Sequence, residues 1–577
     1  MTNEMATPLP VDSTASTVSP EPTDVLETEA AAAEGIARAT TILAIGNITS
    51  RVLGFVKEIQ LANLFGAGRA VDAFQIAITI PRDLYDLAIY GHTNSALVPV
   101  LSEYAARKDK SELWALISAL FSLVLLFAGV LVVLLTVFAP NIIALYRGLP
   151  RPPLIDHPFT FQTGAFLQKG LGFSPAAFEQ TVHLLRLTAP ALIFLSLFSV
   201  LSGALFALRR FTFPAFGAAL FNGAIFISTL ILAPYIGIEG VAIGWVIGAL
   251  AQLALQGVGM RGAKLRLVIG GLLRALRHPG IRKIALLYLP VMLALVVDVL
   301  VNRPFSYNIA SQTGEGNVAT MSWATNLREF PMGLVGTAIS LAILPTLARQ
   351  ALSKDLLGDF RDTLGRGVRL ALTLIIPASV GMFVLAGPLI GLVFERGAFT
   401  AANTADMSIV LRLYMIGIPF AAIDLLLIFA FYARRDSLTP ALVGMFSLGC
   451  YIVITLILLP TTGFLSLMIA DSAKHFIHMV VSLILLRRRL NGLGTQRLPV
   501  TVLKVGLATA VMALVTWVLM RSVGTLFPVQ GLRERALLLF VPSLLGGAIY
   551  FLLASVLKLN EFTLFVETIS RRVRRRS

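Results

Sequence analysis

The sequence predicts an all-α, polytopic membrane protein of about fourteen transmembrane helices. Two parallel six-helix repeats surround a central cavity, and two C-terminal helices follow. Three observations predict this fold. Apolar residues fill 56% of the 577 positions and charged residues 14%, against roughly 45–50% and 25% in soluble proteins. Mean hydropathy is +0.83, and the apolar residues gather in runs near the roughly 20 residues that cross a bilayer. The chain also matches itself at long offset, as a duplicated helical unit would.

The elements follow in chain order. Residues 1–34 carry seven acids and no Lys or Arg, with much Pro, Ser and Thr, so a disordered acidic tail is expected. It lacks the basic start and apolar run of a signal peptide. Candidate spans then fall at 36–64, 70–101, 113–138, 181–208, 213–235 and 238–260, a six-helix lobe over 36–260. A basic linker, 261–283, leads to a second lobe over 284–488, with spans at 284–311, 317–347, 370–394, 403–432, 440–460 and 463–486. Two additional helices, at 499–520 and 536–557, occupy 499–557, and a basic tail, 558–577, ends the chain. The single cysteine, Cys450, excludes a disulfide framework or a Cys-rich metal site.

Charge sets the orientation. With the N-terminus in the cytoplasm, inside segments hold 29 Lys/Arg and outside loops 8, as the positive-inside rule requires. Both termini are then cytoplasmic. The net charge of +16 reads as topology and contact with anionic lipid headgroups, not as nucleic-acid binding.

The repeat sets the architecture. At an offset of 226 residues, Leu-Arg-Leu at 185–187 falls on 411–413, Arg209 on Arg435 and Pro214 on Pro440. "VPVLSEYAARKD" matches "LPTLARQALSKD" at an offset of 246. Six spans separate the copies, so the halves are parallel, a transporter plan with its substrate site between them.

Ionisable residues inside spans cost about 2.5–3.5 kcal/mol each unless satisfied, so they point to the cavity or to pairing within the bundle. Asn47, Ser50, Arg51, Gly54, Lys57 and Glu58 lie within about 120° of the first helix. Asp72, Gln75, Thr79, Arg82 and Asp86 form a stripe on the second. The seventh contributes Asp298, Asn302 and Arg303 beside Pro304, and the eighth Asn326, Arg328 and Glu329 before Pro331. Arg51, Lys57, Arg82, Arg303 and Arg328 are the candidate substrate-binding cations; Glu58, Asp72, Asp86, Asp298 and Glu329 are the supporting or coupling acids. Arg186 and Arg412 read as anchors at the outer interface. Asp424, Asp471 and Lys474 suit an ion-coupling site or simple packing pairs. His475 and His478 have a metal-ligand spacing but no evident third ligand, so no metal or other cofactor is expected. Walker, dinucleotide, nucleophile-elbow and zinc motifs are all missing from the sequence.

The segment "SRVLGFVKEIQLANLFGAGRAVDAFQIAITIP", then "ALVPVLSEY", "REFPMGLVGTAISLAILPTLA", "FERGAFT" and "YARRDSLTP", resemble the MurJ (MviN) lipid II flippases, in order and over about 40–490. The resemblance implies the multidrug/oligosaccharidyl-lipid/polysaccharide exporter fold in the bacterial cytoplasmic (inner) membrane. It also implies movement of undecaprenyl-diphosphate-linked peptidoglycan precursor between leaflets, with cavity cations on the diphosphate. By motif, Arg51 matches a family arginine, Lys57 stands where arginine is usual and Glu58 where aspartate is usual; Asp72 and Glu329 match family acids. Tyr85 and Asn326 occupy positions where the family has arginine. Arg82 lies one turn before Tyr85 on a similar face, and Arg328 follows Asn326 by two residues, facing elsewhere.

The expected function is a lipid II flippase working by alternating access, coupled to the membrane potential or to a monovalent cation, with cell-wall synthases as candidate partners. The alternatives are a flippase for another polyprenyl-diphosphate-linked glycan and a cation-coupled drug exporter of the same fold. A membrane glycosyltransferase would need surface acids, and the outer loop 139–180 offers only Asp156 and Glu179.

Overall fold

The computed structural model describes residues 22–88, 97–107, 110–147, 174–263, 278–353, 355–490, 492, 498–527 and 531–559. Among them every regular element is helical. The N-terminal half holds α1 (Pro22–Phe65), α2 (Arg69–Ala88), α3 (Val98–Ala105), α4 (Ser111–Val137), α5 (Ala139–Arg147), α6 (Pro175–Thr188), α7 (Ala191–Ala207), α8 (Thr212–Ile236) and α9 (Ile238–Gly259). The C-terminal half begins with α10 (Pro279–Val297), a π-helical turn (Asp298–Asn302), α11 (Arg303–Thr313), α12 (Asn317–Pro331) and a second π-helical turn (Met332–Thr337). It continues through α13 (Ala338–Gln350), α14 (Leu357–Val384), α15 (Ala386–Val393), α16 (Ala401–Ala433), α17 (Leu438–Thr462) and α18 (Ser466–Arg489). The final pair is α19 (Leu498–Leu526) and α20 (Leu532–Val556).

Among the described residues, eleven helical stretches are long and apolar enough to cross a membrane, the longest, Leu438–Arg489, turning at Gly463 to include both α17 and α18. The expected second and seventh spans are not among the eleven. They are the two that carry the charges of α2 and of the 298–303 segment. One expectation needs correction: residues 22–34, read as disordered, continue α1 as helix. Their Ala- and Glu-rich sequence has high helix propensity, which outweighs their lack of an apolar face. Residues 1–21, most of the basic linker and all but the first two residues of the C-terminal tail lie outside the described set.

The repeat reaches the backbone. Helices α7 and α16 end 226 residues apart, and α8 and α17 start and stop 226 residues apart. At each α7–α8-type turn an arginine takes a left-handed backbone, Arg209 at φ 59° and Arg435 at φ 60°. Arg210 N donates to Leu205 O at 2.8 Å and Asp436 N to Phe431 O at 3.0 Å, the same closing bond twice. In the second copy, burial pushes the Asp436 carboxyl up, but hydrogen bonds from Thr439 and Arg489 outweigh it and hold the group below the usual carboxylate range. Arg186 and Arg412 are equivalent as well. Arg186 Nε donates to Thr136 O and Arg412 Nε to Phe383 O, both at 3.2 Å, so each caps the negative C-terminal end of a neighbouring helix.

Core packing explains the rest. A buried cluster running from Leu61 and Phe74 through Trp245 to Trp323 and Phe394 joins both halves. Ile339, Leu347 and Phe360 pack with Phe431 into a core of the C-terminal half alone. Val505, Met512 and Tyr550 bind the final pair, and Tyr550 donates to Thr373 O of α14 at 2.5 Å.

Candidate functional site

The two halves meet along a cleft that is closed at one end. At the α1–α2 turn, Ala398 N donates to Asn63 O at 2.8 Å across the halves. Asp72 accepts from Gly316 N at 2.6 Å and Ala319 N at 2.8 Å. A carboxylate at the positive N-terminus of α12 is favourable, so Asp72 fastens α2 to the other half. Gly316 has φ 82° and its Cα faces Ala67 O so closely that a Cβ would overlap it; only glycine fits this seam. One turn further in, Trp323 Nε1 donates to Glu58 at 2.9 Å. Phe55 packs edge-on against Phe330 and Phe394, with ring centroids 5.6 and 6.0 Å away.

The polar stripe of α2 records how far this closure extends. Asp72, Gln75 and Thr79 are 6%, 5% and 6% exposed, whereas the side chains of Arg82 and Asp86 are 61% and 26% exposed. One face of one helix thus passes from a sealed seam into an open region. Arg51, Asn326 and Glu329 are exposed as well. Arg51 Nη1 lies 3.3 Å from where a Cβ of Gly333 would stand, on the second π-helical turn.

The five candidate cations differ in availability. Arg51 has no ion pair among the described residues, and Arg82 has one at 4.0 Å, to Asp86. Lys57 is 3.1 Å from Glu58 and 5.8 Å from the centre of the Trp245 ring. Arg303 binds Asp83 and lies 3.3 Å from Asp298, so two carboxylates share it. Arg328 pairs with the partly buried Asp471, lies 3.7 Å from Glu329 and covers the Tyr414 ring at 4.8 Å. The predicted set is therefore split: Arg51 and Arg82 face the open region, while Lys57, Arg303 and Arg328 are engaged. The acids divide likewise, Asp72 and Glu58 tying the seam and Asp86, Asp298 and Glu329 reaching the open part.

Two readings of the sequence change. Arg82 does not share the environment of Tyr85, whose ring is 6% exposed in the core, because a separation of three residues turns a helix by about 60°. The α1 stripe also divides, with Asn222 of α8 bonding Ser50 while Arg51 and Glu58 point to the C-terminal half. Arg328 faces away from Asn326, as read. Asp83 was missed as a site residue because it lies one position off the α2 stripe. Its partner is 220 residues away, a pairing that one sequence does not reveal. No group of three or more His, Cys, Asp or Glu suited to a metal occurs among the described residues.

Both π-helical turns sit beside prolines, Pro304 and Pro331, which remove helix donors. Such turns recur at functional sites, and here both belong to the C-terminal half, one carrying Asp298 and Asn302 and the other Gly333, which faces Arg51 across the cleft. Asp72→Ala is expected to cost about 1.5–3 kcal/mol, the range for hydrogen bonds to a charged group. The check is thermal unfolding of the purified protein: a lowered midpoint for Asp72→Ala and a smaller drop for Asp72→Asn. An unchanged midpoint would show that the carboxylate does not hold the seam.

A family model described as lipid II flippase MurJ matches residues 61–534. The lipid II flippase MurJ of Burkholderia cenocepacia is 29% identical over 448 residues, covering 77% of this chain and 82% of that protein. The probable lipid II flippase MurJ of Vibrio cholerae is 32% identical over 448 residues, covering 76% and 81%. A solved lipid II flippase MurJ in an inward closed conformation superposes with a TM-score of 0.70 at 21% identity, covering 90% of this chain and 99% of that one. An inward-facing MATE-family multidrug transporter of the MOP superfamily gives 0.58 at 15% identity, covering 79% and 98%. These two structures establish the fold.

Proposed function

The chain belongs to the MurJ family of lipid II flippases, and we propose that it moves lipid II from the inner to the outer leaflet of the bacterial cytoplasmic membrane by alternating access. It is a multi-pass transporter, not an enzyme. The observation that carries the reading is the burial gradient along α2, which supports a cleft shut at one mouth and open at the other. The positive-inside distribution assigns the shut mouth to the periplasmic side, with both termini in the cytoplasm, so the conformation faces inward. Arg51 and Arg82 are the cations available in the open part, and a guanidinium offers paired donors to a diphosphate. The π-helical turns are the elements that let the halves change their angle. Energy from the membrane potential or a monovalent cation drives the cycle.

A second reading, a flippase for another polyprenyl-diphosphate-linked glycan, is favoured by Tyr85 and Asn326. Neither supplies a charge, and Tyr85 is buried. A drug exporter for organic cations is disfavoured by two open guanidiniums. Complementation decides among them. The gene should restore growth to a bacterium depleted of its lipid II flippase. Full expression and membrane insertion without rescue would favour the second reading.

A further inference from the structure

Helix α18 carries a polar stripe that the cleft does not use. Asp471, Lys474, His475, His478 and Ser482 recur at helical spacing and share one face about 16 Å long. The stripe begins where Arg328 meets Asp471, beside Glu329 of the cleft. There Arg328 and Lys474, the latter at 2.7 Å, give that carboxylate two cationic partners, and His475 Nε2 lies 3.8 Å away. Deeper along the stripe the balance changes. His478 Nδ1 lies 2.5 Å from Asp424 Oδ1 of α16, and Ser482 Oγ is 3.3 Å from the same nitrogen. Both members of the pair are buried.

The surroundings of the pair are sparse in charge. From α18, Lys474 and His475 face it; from α17 the facing residue is Gly444, where a Cβ would lie 3.7 Å from His478 Nε2. That nitrogen has no hydrogen bond among the described residues. A carboxylate beside a neutral imidazole carries one negative charge, which a buried site disfavours. Adding one proton makes the pair net neutral, whether as carboxylate and imidazolium or as acid and imidazole. Intramembrane His and Asp pairs of this kind mark proton routes.

The pair also has a mechanical link to the cleft. A Cβ on Gly336 would lie 3.6 Å from Ala422 Cα, two residues before Asp424, and Gly333 on the same π-helical turn faces Arg51. The turn therefore packs against the pair's helix on one side and the opposite half on the other.

We infer that Asp424 and His478 form a proton-binding site whose loading is coupled to closure of the periplasmic mouth. One proton from water adds to the pair and neutralises it; on release the proton returns to water and the pair regains its negative charge. The loaded, neutral pair suits the packed C-terminal half seen here, so low pH favours the inward-facing form. The proposal relies on the flippase reading only for the direction of transport, because the binding step needs no lipid.

The test uses full-length protein in nanodiscs without lipid II, with Cys450→Ser. Spin labels go on Tyr235→Cys and Thr461→Cys, at the exposed ends of α8 and α17 in opposite halves. Pulsed electron spin resonance should show the closed-to-open ratio at the periplasmic mouth rising by about tenfold from about pH 8.5 to about pH 5.5. In Asp424→Asn and in His478→Gln the ratio should stay flat. The second variant guards against misfolding in the first, since Gln keeps a polar group of similar reach. A flat wild-type response, or a pH response that persists in both variants, overturns the proton site. Failure of lipid II complementation with the pH response intact would overturn the flippase reading alone.

Discussion

Arg51→Ala and Arg82→Ala should each nearly abolish lipid II flipping while leaving protein level and thermal stability close to wild type. These are the two open guanidiniums of the cleft, Arg51 against Gly333 and Arg82 61% exposed with its nearest carboxylate 4.0 Å away. A charge-assisted contact contributes about 1.5–3 kcal/mol, so each loss should weaken diphosphate binding by about one to two powers of ten. Arg82→Lys should fall between wild type and Ala, because an ammonium keeps the charge but not the fork. Replacing both residues should leave no measurable transport in proteoliposomes. Arg303→Ala and Arg328→Ala should fail differently. Arg303→Ala leaves the buried Asp83 without its ion-pair partner, and breaking a buried pair costs about 3–5 kcal/mol of stability, whereas Arg328→Ala leaves Asp471 paired with Lys474 and should cost less. Normal flipping with Arg51 and Arg82 both removed would sink the site and favour a purely structural role for the polar stripes. Tyr85→Arg would not compensate for Arg82→Ala, since it would place a guanidinium in the core.

The sequence reading reached the helical plan because two signals for it are local. Apolar runs of spanning length and a 226-residue echo need no knowledge of distant contacts, and the echo returned as matched turns at Arg209 and Arg435. The equivalence of Arg186 and Arg412 was legible for the same reason. The site was legible only in outline. A stripe such as Asp72 to Asp86 identifies a polar face, but not where along it the seam ends. That depends on Gly316, 244 residues from Asp72. Arg303 read as a candidate substrate-binding cation, and its partner Asp83 came only with the structure. Residues 22–34 misled in the opposite way, since their composition carries both disorder and helix signals. Asp424 and His478 were visible as ionisable residues in apolar runs, yet neither sequence spacing nor period reveals that α16 and α18 bring them together.

A disulfide across the periplasmic seam should stop transport completely and reversibly. The chain pair Asn63 and Ala398 is joined by a 2.8 Å backbone hydrogen bond between the halves, which brings the two Cα atoms near the roughly 4.4–6.8 Å span that a disulfide tolerates. Asn63→Cys with Ala398→Cys, in a Cys450→Ser background, should crosslink under mild oxidation and hold the inward-facing form. Each single variant should transport under the same oxidant, and reductant should return activity to the double variant. The physical reason is that lipid release requires this mouth to part. A covalent bond there removes the outward-facing member of the two-state equilibrium, and a ligand's differential binding cannot restore it. Beside the buried cluster that joins the halves, polar and aromatic contacts hold the seam in register: Asp72 on the α12 terminus, Glu58 on Trp323 and the Phe55 contacts. These are weak enough to open and specific enough to close in register. Continued flipping by quantitatively crosslinked protein would show that the halves do not alternate about this seam, and that the lipid leaves by a route the closed mouth does not block.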